Sequence, residues 1–260
     1  MHQEMRLFLN ALLEKSGDLI RGYYERESVS VEFKEDKSPV TAADREAELV
    51  MRDLIQKRFP SHGVIGEEFG RENDQAEYVW VLDPIDGTVS FMHQCPLFGT
   101  LVGLLYQGRP VLGAIHQPVL RETCVGFDGQ CTFNNRAVHV RPTSELSAST
   151  MLATDLEKIA KHKNYEHFDA LRKKSRVFRM WGDCYGYMML ASGRADIMLD
   201  PVMAPWDVIP LIPIIEGAGG VITTWEGGDA CTGNSCVAAN KTLHPHVLAA
   251  LQANTHPLLN

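Results

Sequence analysis

The sequence predicts an α/β or α+β protein, and three observations carry that reading. Short apolar runs rich in β-branched residues end in acids, as in "GVIGEE" and "YVWVLD". From Phe98 onward the pattern becomes a meander of successive antiparallel strands. After about residue 145, strand-like and helical stretches alternate, which is the signature of α/β units. At 260 residues the chain can build a sizeable core, as one large domain or as two intimately packed halves, 1–145 and 146–260.

The elements follow in order. Residues 3–26 show helical spacing, with Leu9, Leu12, Leu13, Leu19 and Ile20 on a core face. "SVSVEF" (28–33) is a short strand, broken by "KEDKSPV". "TAADREAELVMRDLIQKRF" (41–59) is a helix with Thr41 as N-cap and Asp44 at the third position, in the manner of a capping box. "GVIGEE" and "YVWVLD" are strands, and the meander comprises "GTLVGLLY", a "QGRP" turn, "VLGAIHQPVL", "ETCVGF" and "GQCTFNNRAVHV". Beyond it, "STMLAT" and "RVFRM" are strands flanking a helix around 163–174, and "GDCYGYMMLASG" is a helix bounded by glycines. "ADIMLD" is a strand ending in an acid. "WDVIPLIPIIEGAGG" (206–220) is a helix in which Pro210 and Pro213 are awkward, although the first can sit within the opening turns. "GVITTW" and "CVAAN" are late strands, and "HPHVLAALQAN" (244–254) is a closing helix.

Composition narrows the function classes. The chain is 45% hydrophobic and 22% charged, ordinary for a globular protein. A net charge of −8 argues against general nucleic-acid binding, which needs a basic face. It leaves open a small anionic substrate, because bound divalent cations reverse the local field. The six cysteines form no C-x-x-C pair, which points to reduced thiols. No run approaches the roughly 20 apolar residues of a membrane span, and the N-terminal stretch carries acids where a signal peptide would be apolar. The expectation is a soluble cytoplasmic protein that binds neither membrane nor nucleic acid.

Acids recur at element ends: Asp44, Glu67 with Glu68, Asp83 with Asp86, Asp200 and Asp207. Acids beside apolar runs are costly unless paired with cations or metals. Oxygen donors without clustered His or Cys suit a hard cation such as Mg²⁺. Each acid also has a plainer reading. Asp44 and Asp207 can complement a helix N-terminus, and Glu67 and Glu68 can be solvated loop residues. "DPIDGT" (83–88) stands apart, because a tight turn does not need acid, acid and hydroxyl in that arrangement.

"GEE" (66–68), "DPIDGT" (83–88) and "PWD" (205–207) before "EGAGG" (216–220) closely resemble the inositol-monophosphatase superfamily, in order and separation across nearly the whole chain. The resemblance implies a layered αβαβα sandwich, a homodimer or larger, and a Mg²⁺-dependent phosphomonoesterase acting on a small phosphorylated alcohol. It implies two to three Mg²⁺ per site, with Mn²⁺ as a substitute and Li⁺ or Ca²⁺ as inhibitors. Carried over by position, Glu67, Asp83 and the Ile85 carbonyl hold the first metal. Asp83, Asp86 and Asp207 hold the second, and a third ion leans on Glu67. Asp44 and Thr88 orient the attacking water, with Asp44 as proton acceptor. The Gly87 and Thr88 amides hold phosphate oxygens at a helix start.

"GTVSFMHQCPLFGTLVGLLYQGRPVLGAIHQPVLRE" followed by "CTFN" is more similar to histidinol-phosphate phosphatases than to inositol monophosphatases. "GDCYGYMMLASGRADIMLD" and "IPIIEGAGGVIT" point the same way. That resemblance makes L-histidinol phosphate the expected substrate, with Asp183 facing its cationic end and Asp200 lining the same pocket. Tyr185 either lines that pocket or is a buried helix tyrosine. Three positions depart from the subfamily: Val89 stands where Lys is expected, Asp200 where Glu is usual, and Ala204 where Lys is frequent. His116 and His93 read as structural or solvent-facing. Inositol 1-phosphate or a related sugar phosphate is the alternative substrate, and a partner-binding protein that retains the fold is the alternative class.

Overall fold

The computed structural model describes residues 2–26, 31–33 and 39–252. In chain order, α1 (His2–Tyr24) leads to a small antiparallel pair, β1 (Val31–Phe33) and β2 (Pro39–Thr41), and then to α2 (Ala42–Arg58). There follow β3 (Gly63–Gly66), β4 (Gly70–Glu72), β5 (Tyr78–Asp86), α3 (Thr88–Met92), β6 (Gly99–Tyr106), β7 (Arg109–Gln117), β8 (Glu122–Phe127), β9 (Gln130–Phe133) and β10 (Arg136–Ala137). The second half contains β11 (Thr150–Ala153), α4 (Leu156–His162), α5 (Tyr165–Lys174), β12 (Val177–Arg179), α6 (Asp183–Ala191) and β13 (Ile197–Asp200). It closes with α7 (Pro205–Val208), α8 (Leu211–Gly217), β14 (Gly220–Thr223), β15 (Cys236–Asn240) and α9 (Leu243–Leu251).

Two sheets result. The larger runs β10-β9-β8-β7-β6-β5-β3-β4 and is antiparallel throughout except where β3 meets β5. The smaller runs β12-β11-β13-β15-β14, with parallel pairing at β12–β11–β13 and antiparallel pairing beyond. Strand alternation sorts their side chains into layers. On β5, Tyr78, Trp80 and Leu82 pack with Met5, Leu9 and Met51 of α1 and α2. Val79 and Val81 face the other way, onto Tyr187, Met188 and Ile212 of α6 and α8. Met198 and Ala238 of the second sheet join that middle layer. Ile197, Leu199, Val237 and Ala239 turn outward, to Phe168, Leu171 and Val247 of α5 and α9. The order is helix, sheet, helix, sheet, helix: the expected αβαβα sandwich. With both faces of β5 covered, its sequence reads as an unbroken apolar run rather than an alternating one.

The sequence reading departs from this in a few places. Strand 28–33 is present as Val31–Phe33, with 28–30 outside the described residues, as are 253–254 of the closing helix. β4, α3 and α4 are too short to leave a periodic signal, although Asp155 caps α4 by accepting from the Glu157 and Lys158 amides. The helix expected over 206–220 is two pieces. Ile209 and Pro210 keep helical dihedrals. Pro210 and Pro213 cannot donate to the residues one turn earlier, so the hydrogen-bond ladder breaks between α7 and α8. Of the expected α1 core face, Leu9, Leu12, Leu13 and Ile20 are buried and Leu19 is half-buried. The broken α7–α8 segment lies tight on the large sheet. A Cβ at Gly113 or Gly126 would run into the backbone of Pro210 or Pro213. This close approach carries Asp207 toward β5.

Candidate active site

Residues three apart on a regular strand point to opposite faces, yet Asp83 and Asp86 meet. Asp83 pairs with Leu101 of β6 and Asp86 with Gly99, three steps on one strand against two on the other. The extra residue is a bulge, and Pro84, which has no amide to leave unpaired, lies within it. The Pro84 carbonyl accepts the Thr100 hydroxyl at 2.8 Å, and the Ile85 amide donates to Asp83 Oδ1 at 3.0 Å. Both acids therefore face one side, on a strand locked from both sheet faces. Carboxylate oxygens of Asp83, Asp86 and Asp207 all lie within 4.8 Å of one another.

Asp207 and Asp44 are delivered by the same local device. Each is the third residue of a helix and reaches back to the residue before it. Asp207 Oδ2 accepts the Ala204 amide at 2.8 Å, and Asp44 Oδ2 accepts the Thr41 amide at 2.9 Å and the Thr41 hydroxyl at 2.5 Å. One oxygen of each is pinned by these bonds, while its partner is left for other work. Glu67 follows β3, with its amide on the Leu82 carbonyl at 3.2 Å, next to Asp83. It is outside the tight trio of acids, but its charge acts on Asp83, Asp207 and Asp44. The Ile85 carbonyl accepts the Thr88 hydroxyl at 3.1 Å. Gly87 has φ +91°, and a Cβ there would sit 2.9 Å from the Leu97 carbonyl and 3.2 Å from Asp183 Oδ2. Only glycine lets the chain turn here, beside the Asp183 carboxylate.

The acids are held under electrostatic pressure. Burial, then Glu67, Asp86, Asp207 and Asp44, pushes the Asp83 carboxyl well above its ordinary value. Burial, then Asp183 and Asp207, does the same to Asp86, although the Cys184 amide donates to Asp86 Oδ2. Asp207 is pushed up to about 7 and Asp44 to about 6, both chiefly by burial. Packing three acids this closely is unfavourable unless a cation shares the space. All the donors are oxygens, on rigid elements, and that set fits a hard divalent cation. The cluster could hold a metal.

Beside the trio lies a cleft of about 70 Å³ lined by Asp86, Thr154, Asp155, Lys158, Asp183, Asp200 and Asp207. Asp183 opens α6 in a left-handed conformation, φ +50°, its amide donating to Thr154 Oγ1 at 2.8 Å. A left-handed non-glycine residue is uncommon, although Asp and Asn adopt the conformation more readily than most, and Asn73, Asp128, Asn134 and Asn135 share it. Asp200 ends β13, buried, with its Oδ2 accepting the Tyr187 hydroxyl at 2.9 Å. Both expected pocket acids thus reach the cleft. Tyr185 does not: its hydroxyl donates to Glu122 Oε2 at 2.9 Å, and it is Tyr187, two residues on and buried behind the lining, that bonds the pocket acid Asp200. Thr154, Lys158 and Tyr187 were not singled out by the sequence; the one local cue was Thr154 at a strand end. His116 bonds Thr123 Oγ1 at 2.8 Å and lines a separate groove beside α1, while His93 bonds the Val89 carbonyl at 2.8 Å in the open. Val89 is exposed. Among the described residues, no helix is long and apolar enough to cross a membrane.

Residues 1–256 match the sequence pattern of the inositol monophosphatase family. A histidinol-phosphatase of Chlorobaculum parvum is 39% identical over 253 residues, covering 96% of this chain and 97% of its own. A chloroplastic bifunctional phosphatase of Arabidopsis thaliana is 39% identical over 256 residues, covering 94% of this chain and 73% of its own. Among solved structures, an inositol monophosphatase from Zymomonas mobilis superposes with a TM-score of 0.86 at 34% identity, covering 96% of this chain and 98% of that one.

Proposed function

The chain belongs to the inositol monophosphatase family as a phosphoric monoester hydrolase, and from that premise we propose that it hydrolyses L-histidinol phosphate with Mg²⁺. The observation that carries the metal reading is the convergence of Asp83, Asp86 and Asp207 within 4.8 Å. Asp83, Asp86, Asp207, Glu67 and the Ile85 carbonyl are the groups that would hold the ions. When bound, the ions would acidify a water and offset charge developing on the phosphoryl oxygens. Asp44, pinned by Thr41 through Oδ2, keeps Oδ1 to take the proton of the attacking water. The Thr88 hydroxyl, already directed at Ile85, offers its lone pairs to the same water. The Gly87 and Thr88 amides donate to phosphate oxygens. In this division of labour residues 1–145 carry most metal ligands, and residues 146–260 carry the pocket and the last ligand.

The alcohol sits in the cleft beside Asp183 and Asp200. An ammonium and imidazole there would be met by carboxylates, which supports histidinol phosphate, as does the identity to a histidinol-phosphatase. A second reading, inositol 1-phosphate, is supported by the likeness to an inositol monophosphatase structure. Val89, Asp200 and Ala204 depart from the histidinol-phosphate pattern at positions other than the clustered acids, so they bear on the substrate and not on the activity. Phosphate release with Mg²⁺ on histidinol phosphate, inositol 1-phosphate, fructose 1,6-bisphosphate and 3′-phosphoadenosine 5′-phosphate tests both. Histidinol phosphate should turn over best; another substrate far ahead of it overturns the substrate, and release from none overturns the activity. A homodimer in the cytoplasm completes the proposal, with sedimentation as its check. A cellular effect that survives Asp86→Asn would favour the partner-binding alternative instead.

A further inference from the structure

One turn beyond Asp44 on α2, Glu48 is completely buried, at 0% exposure. Its Oε2 accepts the Glu68 amide at 2.8 Å. Its Oε1 accepts the Phe69 amide at 3.2 Å and Arg52 Nε at 2.8 Å. Arg52 Nη2 then donates to the Gly70 carbonyl at 2.6 Å. The carboxylate and its guanidinium partner thus hold three successive residues of the turn after β3, two by their amides and one by its carbonyl. A Cβ at Gly66 would collide with the Glu48 carboxylate, so the strand end is cut away to admit it. Glu67 is the residue caught between Gly66 and Glu68.

We propose that Glu48, braced by Arg52, is a positioning residue that fixes Glu67 relative to Asp44 and Asp83 and thereby sets the affinity of the site for divalent cations. This rests on the reading of Glu67 as a metal ligand. A buried ion pair is a weak device for stability alone, since apolar groups of similar volume serve as well. What it supplies is direction. Asp44 is on the same helix as Glu48, so the clamp places the water-orienting acid and the ligand-bearing turn on one rigid support. Glu67 is tied at its other side to Leu82, beside Asp83. Groups that orient ligands from behind typically cost about 10–100-fold in metal affinity when removed.

The test measures Mn²⁺ binding directly, by calorimetry or electron paramagnetic resonance on the full chain without substrate. Glu48→Gln keeps the shape but turns one acceptor into a donor that faces a donor. Arg52→Lys keeps the charge and loses the fork. Both should raise the Mn²⁺ Kd about tenfold or more, while substrate KM at saturating metal is unchanged. Asp196→Asn is the control, because Asp196 is a fully buried acid paired with Arg141 away from the acid cluster. It should lower Tm and leave the Mn²⁺ Kd as it was. Wild-type Mn²⁺ affinity in both clamp variants overturns the inference, as does an equal loss in the Asp196 control. If Glu48→Gln does not fold, Arg52→Lys decides alone. A wild-type protein that binds no Mn²⁺ overturns the proposed function as well, which separates the two failures.

Discussion

The Tyr187 hydroxyl meets Asp200 Oδ2 at 2.9 Å, and the two residues, on α6 and β13, are both buried. Burial pushes the Asp200 carboxyl up to about 7, while hydrogen bonds from Thr154 and Tyr187 hold it down. Its folded pKa lies above the unfolded value of 3.8, so the unfolded chain gives up this proton first as pH rises. Stability is therefore lost across the window from about pH 4 to about pH 7. In metal-free, substrate-free protein, Asp200→Asn should be more stable than wild type by a margin growing about 1.4 kcal/mol per pH unit across that window. Urea unfolding at pH 5, 6 and 7.5 reads the margin; a constant margin would count against the burial argument.

Tyr187→Phe tests the same contact from the other side. It leaves a buried acceptor one donor short, which costs about 1–3 kcal/mol. The cost should be largest above pH 7, where Asp200 is ionised and needs the donor most. Denaturant unfolding at pH 6 and 8 distinguishes this from simple loss of packing, which would be equal at both.

Asp86→Asn separates catalysis from stability. The carboxylate is pushed up by burial and by Asp183 and Asp207, and the Cys184 amide it accepts can be kept by the asparagine oxygen. Removing the charge relieves repulsion in the metal-free protein while taking away one of the proposed metal ligands. Phosphate release should fall at least about a hundredfold, and metal-free Tm should rise. Loss of Tm along with activity would mean that the acid is structural.

What was legible in the sequence was local. "DPIDGT" carries its own bulge, and the acids of "TAAD" and "PWD" each stand at the third position of a helix, where their backbone partner is three residues away. Hence Asp44, Asp83, Asp86 and Asp207 could be named from spacing and resemblance. Glu48 could not, because the amides it holds are 20 and 21 residues distant. Nor could the choice between Tyr185 and Tyr187. Both lie on α6, and two residues turn a helix by more than half a revolution. Which one meets Asp200 depends on how α6 is rotated in the middle layer, and that is set by packing. The helix over 206–220 failed for a chemical reason visible in advance: two prolines remove two ladder bonds without changing the dihedrals.

His116 gives a pH dependence of the opposite sense. Burial, then Arg21, pushes its imidazole down to about 4. The folded chain therefore resists protonation while the unfolded chain accepts it below 6.5. Stability is full above about pH 6.5 and falls by roughly 1.4 kcal/mol per unit on the way to pH 4. His116→Gln should flatten that acid limb in a Tm series from pH 4.5 to 7.5. Its activity should match wild type, because His116 lies in the groove beside α1 rather than in the cleft. An unchanged acid limb would place the titration elsewhere.

Gly87→Ala asks whether the backbone itself takes part in the reaction. At φ +91° an L side chain is strained, and its Cβ would press on the Leu97 carbonyl at 2.9 Å and on Asp183 Oδ2 at 3.2 Å. Gly108 is the comparison: its φ is +76°, but a Cβ there meets nothing within 4 Å. Both substitutions carry the cost of the left-handed conformation, about 1 kcal/mol. Only Gly87→Ala also displaces the amide and carboxylate that flank Asp86. Gly108→Ala should therefore lower stability with full phosphate release. Gly87→Ala should lose more stability and most of its activity, with kcat falling more than KM rises, because in the proposed mechanism the displaced amide serves charge that develops during reaction. Equal activity in the two variants would remove the Gly87 amide from the mechanism and leave its glycine as a turn residue.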